Sequence, residues 1–328
     1  MKVLLLIVVP LVVVPLAVIA TLAGLAIAFG GPGEPAPMAS INNPFRDLDY
    51  SRMPALTRYS GTDGAALAYR AYPAAAPGRG SVVLIHGSSG SSNSMHPMAG
   101  AFAAAGYHAY ALDIRGHGAS GTKGRIDHVG QLEDDLAAFM LAVKPAGPVT
   151  LVGFSSGGGF ALRFAGSARQ KLFANYLLLS PFLSPDAPTQ RPGSGGWVSV
   201  GVPRLVAIAA LNRLGVSAFN ELPVTRFALS PEAKALLTPS YSFALALNFG
   251  PLRDYRANIR AAMQPMALLA GRDDEAFHAD RFAEVFEREA RDVPVTLLPG
   301  IGHIPLTLDT RALQAAVAAV ERMNRPRP

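Results

Sequence analysis

The chain of 328 residues has no cysteine. A disulfide framework, a thiolate metal site and a cysteine nucleophile are therefore excluded, and the redox compartment is left open. Charge is sparse as well, at 16% of residues, and the formal net charge of +6 comes in part from scattered arginines rather than from a basic block. That pattern argues against a nucleic-acid groove and retains a mild preference for anionic membrane surfaces. Internal repeats and low-complexity tracts are missing too. What the chain has in quantity is apolar side chains. At 50% of residues they are enough for a sizeable core, and the length suits one α/β domain with an insertion.

Residues 3–29 form an apolar stretch punctuated by Pro10, Pro15, Thr21 and Gly24 and free of charge. As a helix it is long enough to cross a hydrocarbon core of about 30 Å with some tilt. A signal peptide has a shorter apolar region, roughly 7 to 15 residues, followed by a small-residue cleavage site. We therefore read residues 1–30 as an N-terminal transmembrane helix, an anchor or uncleaved signal. Cleavage among the small residues from Ala26 to Gly31 would instead release a secreted form. Lys2 is the one charge ahead of the stretch, and it favours a cytoplasmic N-terminus with the body on the far side of the membrane. Residues 31–50, opening in Gly, Pro, Ala and Asn, read as a linker that stands the body, residues 51–328, off the bilayer.

Within the body, residues 66–72 alternate weakly, as expected of an early strand near a sheet edge. Residues 81–85 are a clearer strand, opening into His86-Gly87-Ser88-Ser89-Gly90. A helix over 95–105, a strand over 107–112 and the polar loop Asp113-Ile114-Arg115-Gly116-His117-Gly118 follow. An amphipathic helix over 131–143 carries its acidic residues near its start, the favourable end of the helix dipole. Strands are expected at 149–152 and 175–179, then at 266–270 and 293–298, with helices over 279–290 and 311–323. This alternation predicts an α/β fold, a mostly parallel, doubly wound sheet with helices on both faces. Residues 181–264 break the rhythm. Prolines and glycines are dense at first, and the apolar pieces 198–214 and 241–249 read as helices, so the insertion is expected to form a helical cap over the carboxyl edge of the sheet.

The stretch Gly153-Phe154-Ser155-Ser156-Gly157 lies between a strand and a helix-like run. A serine on so sharp a turn has close neighbours two positions before and after it, and Gly153 and Gly157 supply that room for Ser155. Centring the frame on Ser156 would place Phe154 in the tightest position. A serine hydroxyl is a poor nucleophile at neutral pH, so it needs a histidine to take its proton and an acid to hold that histidine's tautomer. Of seven histidines, His303 lies in the loop after the last strand, at the same sheet edge as Ser155. His86 and His117 share that edge but sit beside glycines in tight loops, where a structural hydrogen-bonding role is expected. His108 falls in a strand, His128 and His278 near helix starts, and His96 ahead of Pro97. For the acid, Asp273, Asp274 and Glu275 follow the strand at 266–270, and two of the three must be a solvated acidic turn. Serine, acid, histidine is the chain order that the α/β-hydrolase arrangement demands.

From about residue 56 to residue 323 the chain resembles an α/β-hydrolase-fold serine hydrolase. The likeness is to the monoacylglycerol lipase and lysophospholipase branch, also labelled serine aminopeptidase-like. It is carried by His86-Gly87, the loop from Asp113 to Gly118 with Ser120 behind it, the elbow around Ser155, the run from Gly271 to Asp274, and Gly302-His303. Members place the acid three residues after the glycine that ends its strand, which selects Asp274. The resemblance also implies an oxyanion hole made of the backbone N–H groups of Ser88 and Ser156. It implies two-step acyl transfer from a small-molecule ester to water, with no metal or organic cofactor. The cap's Trp197, Phe219, Phe227, Phe243 and Phe249 would suit a lipid-derived or other apolar ester, or would form the cap's own core. The same fold also hosts peptidases, haloperoxidases and C–C hydrolases, and a membrane-tethered binding protein is the non-catalytic alternative. Oligomeric state has no signature in the chain.

Overall fold

The computed structural model describes residues 9–46, 48–76, 78–289 and 291–325. A π-helical turn, Val9–Val13, leads into α1 (Val14–Phe29). The described run Leu11–Phe29, 19 residues at mean hydropathy 2.6, is long and apolar enough to cross a membrane, a test that a signal sequence near an N-terminus also passes. The body follows with β1 (Leu56–Ser60), β2 (Ala66–Tyr72), β3 (Ser81–Ile85), α2 (His96–Ala104), β4 (His108–Leu112), α3 (Gln131–Val143), β5 (Val149–Phe154), α4 (Ser156–Ala165) and β6 (Asn175–Leu179). Between β6 and the next strand of that sheet come β7 (Val198–Val200), α5 (Val202–Arg213), β8 (Pro223–Phe227), α6 (Pro231–Leu236), β9 (Ser240–Ser242), α7 (Phe243–Asn248) and α8 (Tyr255–Ala261). The chain then returns through β10 (Met266–Gly271), α9 (Phe282–Glu287), β11 (Val295–Leu298) and α10 (Thr310–Asn324).

One eight-stranded sheet runs in the order β1-β2-β4-β3-β5-β6-β10-β11. The pairs β1/β2 and β2/β4 are antiparallel, and every other pair is parallel. Every residue of β3, β5, β6 and β10 is buried, which is why these strands read as continuous apolar runs rather than as alternations. Along β2, Tyr69 meets Phe139 of α3 edge-on while Tyr72 lies tilted against His96 of α2. An odd step along a strand changes face, so α2 and α3 cover opposite sides of the sheet. The last helix buries Ala312, Ala316, Ala319 and Val320, a single helical stripe, and packs on α2. The edge strand β1 escaped the sequence reading because only Tyr59 of its five residues is buried.

Register brings the functional loops to one level. Ile85 pairs with Leu112 on one side and Gly153 on the other, Phe154 pairs with Leu179, and Gly271 pairs with Leu298. The loops after β3, β4, β5, β6, β10 and β11 therefore open at the same edge, where ligands bind in open α/β sheets.

Two features differ from the sequence-based expectation. The cap contains helices, but its centre is a three-stranded antiparallel sheet in the order β7-β8-β9. Pieces 198–214 and 241–249, read as helical throughout, each begin with residues of a short strand that passes into helix within a residue or so. Strands of three residues leave no alternation to detect, and their pairing partners are distant in sequence. The segment expected to be a free linker is seated on the cap instead. Met38 N–H and Asn42 Nδ2 both donate to Ala228 O, Ser230 N–H donates to Asn42 Oδ1, and Ile41 is buried. The Arg204 guanidinium caps the end of α1 by donating to the carbonyls of Ile27 and Ala28, and it also reaches Pro223 O. Satisfying these carbonyls fixes α1 against α5.

Candidate active site

Ser155 sits between β5 and α4 at φ 54 and ψ −118, a left-handed conformation that costs a non-glycine residue about 1–3 kcal/mol unless its surroundings hold it. They do so through backbone bonds: Ser155 N–H donates to Leu179 O, and Ser155 O accepts from Gly159 and Phe182. The glycine frame has a measurable cause. A Cβ on Gly153 would lie 2.2 Å from Gly157 O, and one on Gly157 would lie 2.3 Å from His86 O. Neither position has space for any side chain, and the strained serine is Ser155, not Ser156.

His303 lies in the loop after β11 and is buried between two rings, Phe154 at 4.7 Å and Phe277 at 5.2 Å between centroids. Its Nδ1 is 2.8 Å from Asp274 Oδ2 and its Nε2 is 3.1 Å from Ser155 Oγ. A carboxylate at Nδ1 holds the proton there, which leaves Nε2 free to accept the serine's hydrogen. Asp274 Oδ1 accepts the N–H groups of Ala276 and Phe277 at 2.8 and 2.9 Å. Burial raises the Asp274 pKa, but the opposing pull of the His303 charge and hydrogen bond, with help from the backbone donors, leaves it below the ordinary carboxylate value.

The three neighbouring carboxylates now separate. Asp273 is exposed, and Asp274 reaches the histidine ring. Glu275 is not the solvated bystander expected of it: its Oε2 accepts the backbone N–H of His303 at 2.9 Å, so it pins the histidine's main chain while Asp274 orients its ring. Adjacency to Asp274 was the only signal in the sequence, and it carried no direction.

The loop after β3 passes close to Ser155. A Cβ on Gly87 would lie 3.0 Å from the Phe154 ring and 3.2 Å from Ser155 Cβ, so the main chain at Gly87, which leads into Ser88, comes near Ser155. Ser156 opens α4, where the first N–H groups have no partner within the helix and the dipole favours negative charge. Ser155 and His303 are only 6% and 4% exposed, so the pair is shielded from bulk water. Trp197, Phe227, Phe243 and Phe249 are likewise buried and half-buried Phe219 packs beside Phe243, so these rings build the packing of the cap and its seat. Among the described residues no three His, Asp or Glu side chains converge as a metal site would require.

The other histidines stay apart from the serine. His86 Nδ1 donates to Gly87 O, His117 Nε2 meets Tyr241 Oη, and His96 Nδ1 meets Tyr72 Oη. Burial lowers the pKa of both His86 and His117, and for His117 the neighbouring His86 adds to the effect.

A mostly parallel sheet with a serine elbow after its central strand, a cap insertion after the next, and acid and histidine loops beyond defines the α/β-hydrolase class. Within that class, the family described as Serine aminopeptidase, S33 matches residues 76–309, and the chain belongs to it. A curated monoacylglycerol lipase from Mycolicibacterium smegmatis is 36% identical over 112 residues, which cover 32% of this chain and 39% of that protein. The chain thus matches about two fifths of that relative's length. A soluble variant of the Saccharomyces cerevisiae monoglyceride lipase, solved with a substrate analogue, superposes with TM-score 0.65 at 18% identity, covering 87% of this chain and 99% of that one. A membrane phospholipase A, described as a bacterial virulence factor, superposes with TM-score 0.57 at 17% identity over 99% of this chain and 98% of its own. At such identities the two structures report the fold.

Proposed function

We propose that the chain is a serine hydrolase that cleaves carboxylic esters through an acyl-enzyme. The observation that carries this reading is the His303 ring bridging Ser155 Oγ and Asp274 in one buried line. In the first step Ser155 Oγ attacks the ester carbonyl carbon as His303 Nε2 takes its proton. The oxygen that becomes negative is held by the Ser88 and Ser156 N–H groups, donors worth about 3–4 kcal/mol each where such groups have been removed. Collapse breaks the bond to the alcohol, which leaves with the proton from Nε2. Water, deprotonated by His303, then attacks the acyl-enzyme, and the acid departs as Ser155 regains its proton. Asp274 remains ionised and steadies the imidazolium in both steps.

We further infer an apolar ester substrate of monoacylglycerol or lysophospholipid type. It is supported by the names of the relatives. The helix Leu11–Phe29 would hold the enzyme on the membrane with its body outside the cytoplasm. A fluorophosphonate probe tests the chemistry without presuming a substrate. Wild-type protein is expected to label, and Ser155→Ala and His303→Ala are not. A folded wild type that fails to label would sink the reading in favour of a binding protein. A chain-length series of p-nitrophenyl esters beside an aminoacyl amide then separates esterase from peptidase. Carbonate extraction of membranes separates an anchored protein from a cleaved one.

A further inference from the structure

Ser89, next to the proposed oxyanion donor Ser88, has φ 68, a conformation that side chains other than glycine and asparagine rarely adopt. The bonds that secure it come from the cap. Ser89 N–H donates to Tyr241 Oη at 2.6 Å, Ser89 Oγ–H donates to Thr238 O at 2.7 Å, and Thr238 N–H donates to Ser89 O at 3.0 Å. Ser88 is held from the same side, its Oγ accepting from Trp197 Nε1 at 2.8 Å.

The polarity of this network is determined. Tyr241 is buried, and burial pushes its phenol well above the ordinary value, so the hydroxyl stays neutral and has one hydrogen to donate. Arg115 O, 3.3 Å from His117 Nδ1, can only accept, so the neutral ring is assigned its hydrogen on Nδ1, and the Tyr241 hydrogen then goes to His117 Nε2, 2.6 Å away. The loops after β3 and β4 are thus tied together through one cap residue. Strands β8 and β9 and the residue ahead of β7 each contribute an aromatic ring to the tie. Trp197, just before β7, stacks on Phe227 at the end of β8 at 5.3 Å, and Phe227 meets Tyr241 of β9 edge-on at 4.6 Å.

We propose that Tyr241, seconded by Trp197, is a positioning residue that braces the oxyanion loop from the cap. It touches no reacting atom. A tilt of the peptide between Ser88 and Ser89 turns Ser88 about its own backbone bonds and re-aims the Ser88 N–H. Clamping the Ser89 N–H therefore sets the direction of its neighbour, and small misplacement of a donor is costly in a preorganised site. The inference rests on the serine-hydrolase reading, since the direction of Ser88 N–H matters only if it receives an oxyanion.

The test is Tyr241→Phe in the full chain, which keeps the ring and deletes the hydroxyl. With a p-nitrophenyl ester, kcat is expected to fall about tenfold while KM stays within about twofold, a part of the 100-fold or greater loss that follows removal of a whole oxyanion donor. Inactivation by the fluorophosphonate should slow by the same factor, because phosphonylation builds negative charge in the same hole. Trp197→Phe, which removes the donor to Ser88 Oγ, should lower kcat about threefold and serves as the decisive variant if Tyr241→Phe does not fold. A kcat and an inactivation rate within twofold of wild type would overturn the proposal. So would a rise in KM alone, which would make Tyr241 a substrate contact. Wild-type protein that does not label fails in a different way, because it removes the serine-hydrolase reading itself.

Discussion

His303 and the pair His86/His117 are buried at the same edge of the same sheet, yet their surroundings prepare them for opposite tasks. His303 has a carboxylate on one nitrogen and a serine hydroxyl on the other, so a proton arriving at Nε2 finds a negative charge already in place behind it. His117 has a backbone carbonyl and a phenol, and His86 stands 4.8 Å away between ring centroids. A charge on either ring of that pair would be poorly solvated and would repel a charge on the other. Burial alone therefore does not distinguish a proton acceptor from a structural histidine. The group behind the ring does.

The largest expected effects break the first half of that contrast. Replacing His303 by alanine should lower kcat/KM for an ester by at least about 10³-fold, and Asp274→Asn should cost a comparable factor through the wrong tautomer, both read from initial rates. His117→Gln should retain activity within about tenfold; a loss as deep as that of His303→Ala would erase the distinction. Glu275 offers a sharper and smaller test. Glu275→Ala should lower kcat roughly tenfold by releasing the His303 main chain, and Glu275→Gln, which still presents an oxygen to that N–H, should restore most of it. Equal activity of both variants with wild type would leave Asp274 as the sole support of His303.

The smallest effect concerns stability against pH. The folded-state pKa of His117 lies well below its unfolded value of about 6.5, so at pH below 6.5 the unfolded chain binds a proton that the folded chain refuses. Stability conferred by the neutral ring is then present above that pH and is lost as pH falls, by at most about 1.4 kcal/mol per pH unit for each such histidine. Urea midpoints at pH 7 and pH 5 should differ less in His117→Gln than in wild type. An identical difference in the two proteins would show that the ring titrates freely.

Much of the α/β body could be read from the chain because its signals are local. The central strands are unbroken apolar runs, and the predicted spans 81–85, 131–143 and 175–179 coincide with β3, α3 and β6. The elbow was legible for the same kind of reason: two missing side chains, at Gly153 and Gly157, mark the one serine with room to turn. By itself, then, the sequence determined the central strands, the nucleophile candidate and the loop that carries its candidate histidine, because each is read from neighbours a few residues away. Chain-local pattern left three adjacent carboxylates open and only the family likeness selected Asp274; tertiary structure sets that carboxylate against the ring. It likewise decided that Glu275 holds the His303 main chain, that the segment after α1 is seated on the cap, and that a three-stranded cap sheet delivers Tyr241 to Ser89. Those contacts join residues 28 to more than 180 positions apart, and chain-local patterns carry no record of a partner that only folding brings near.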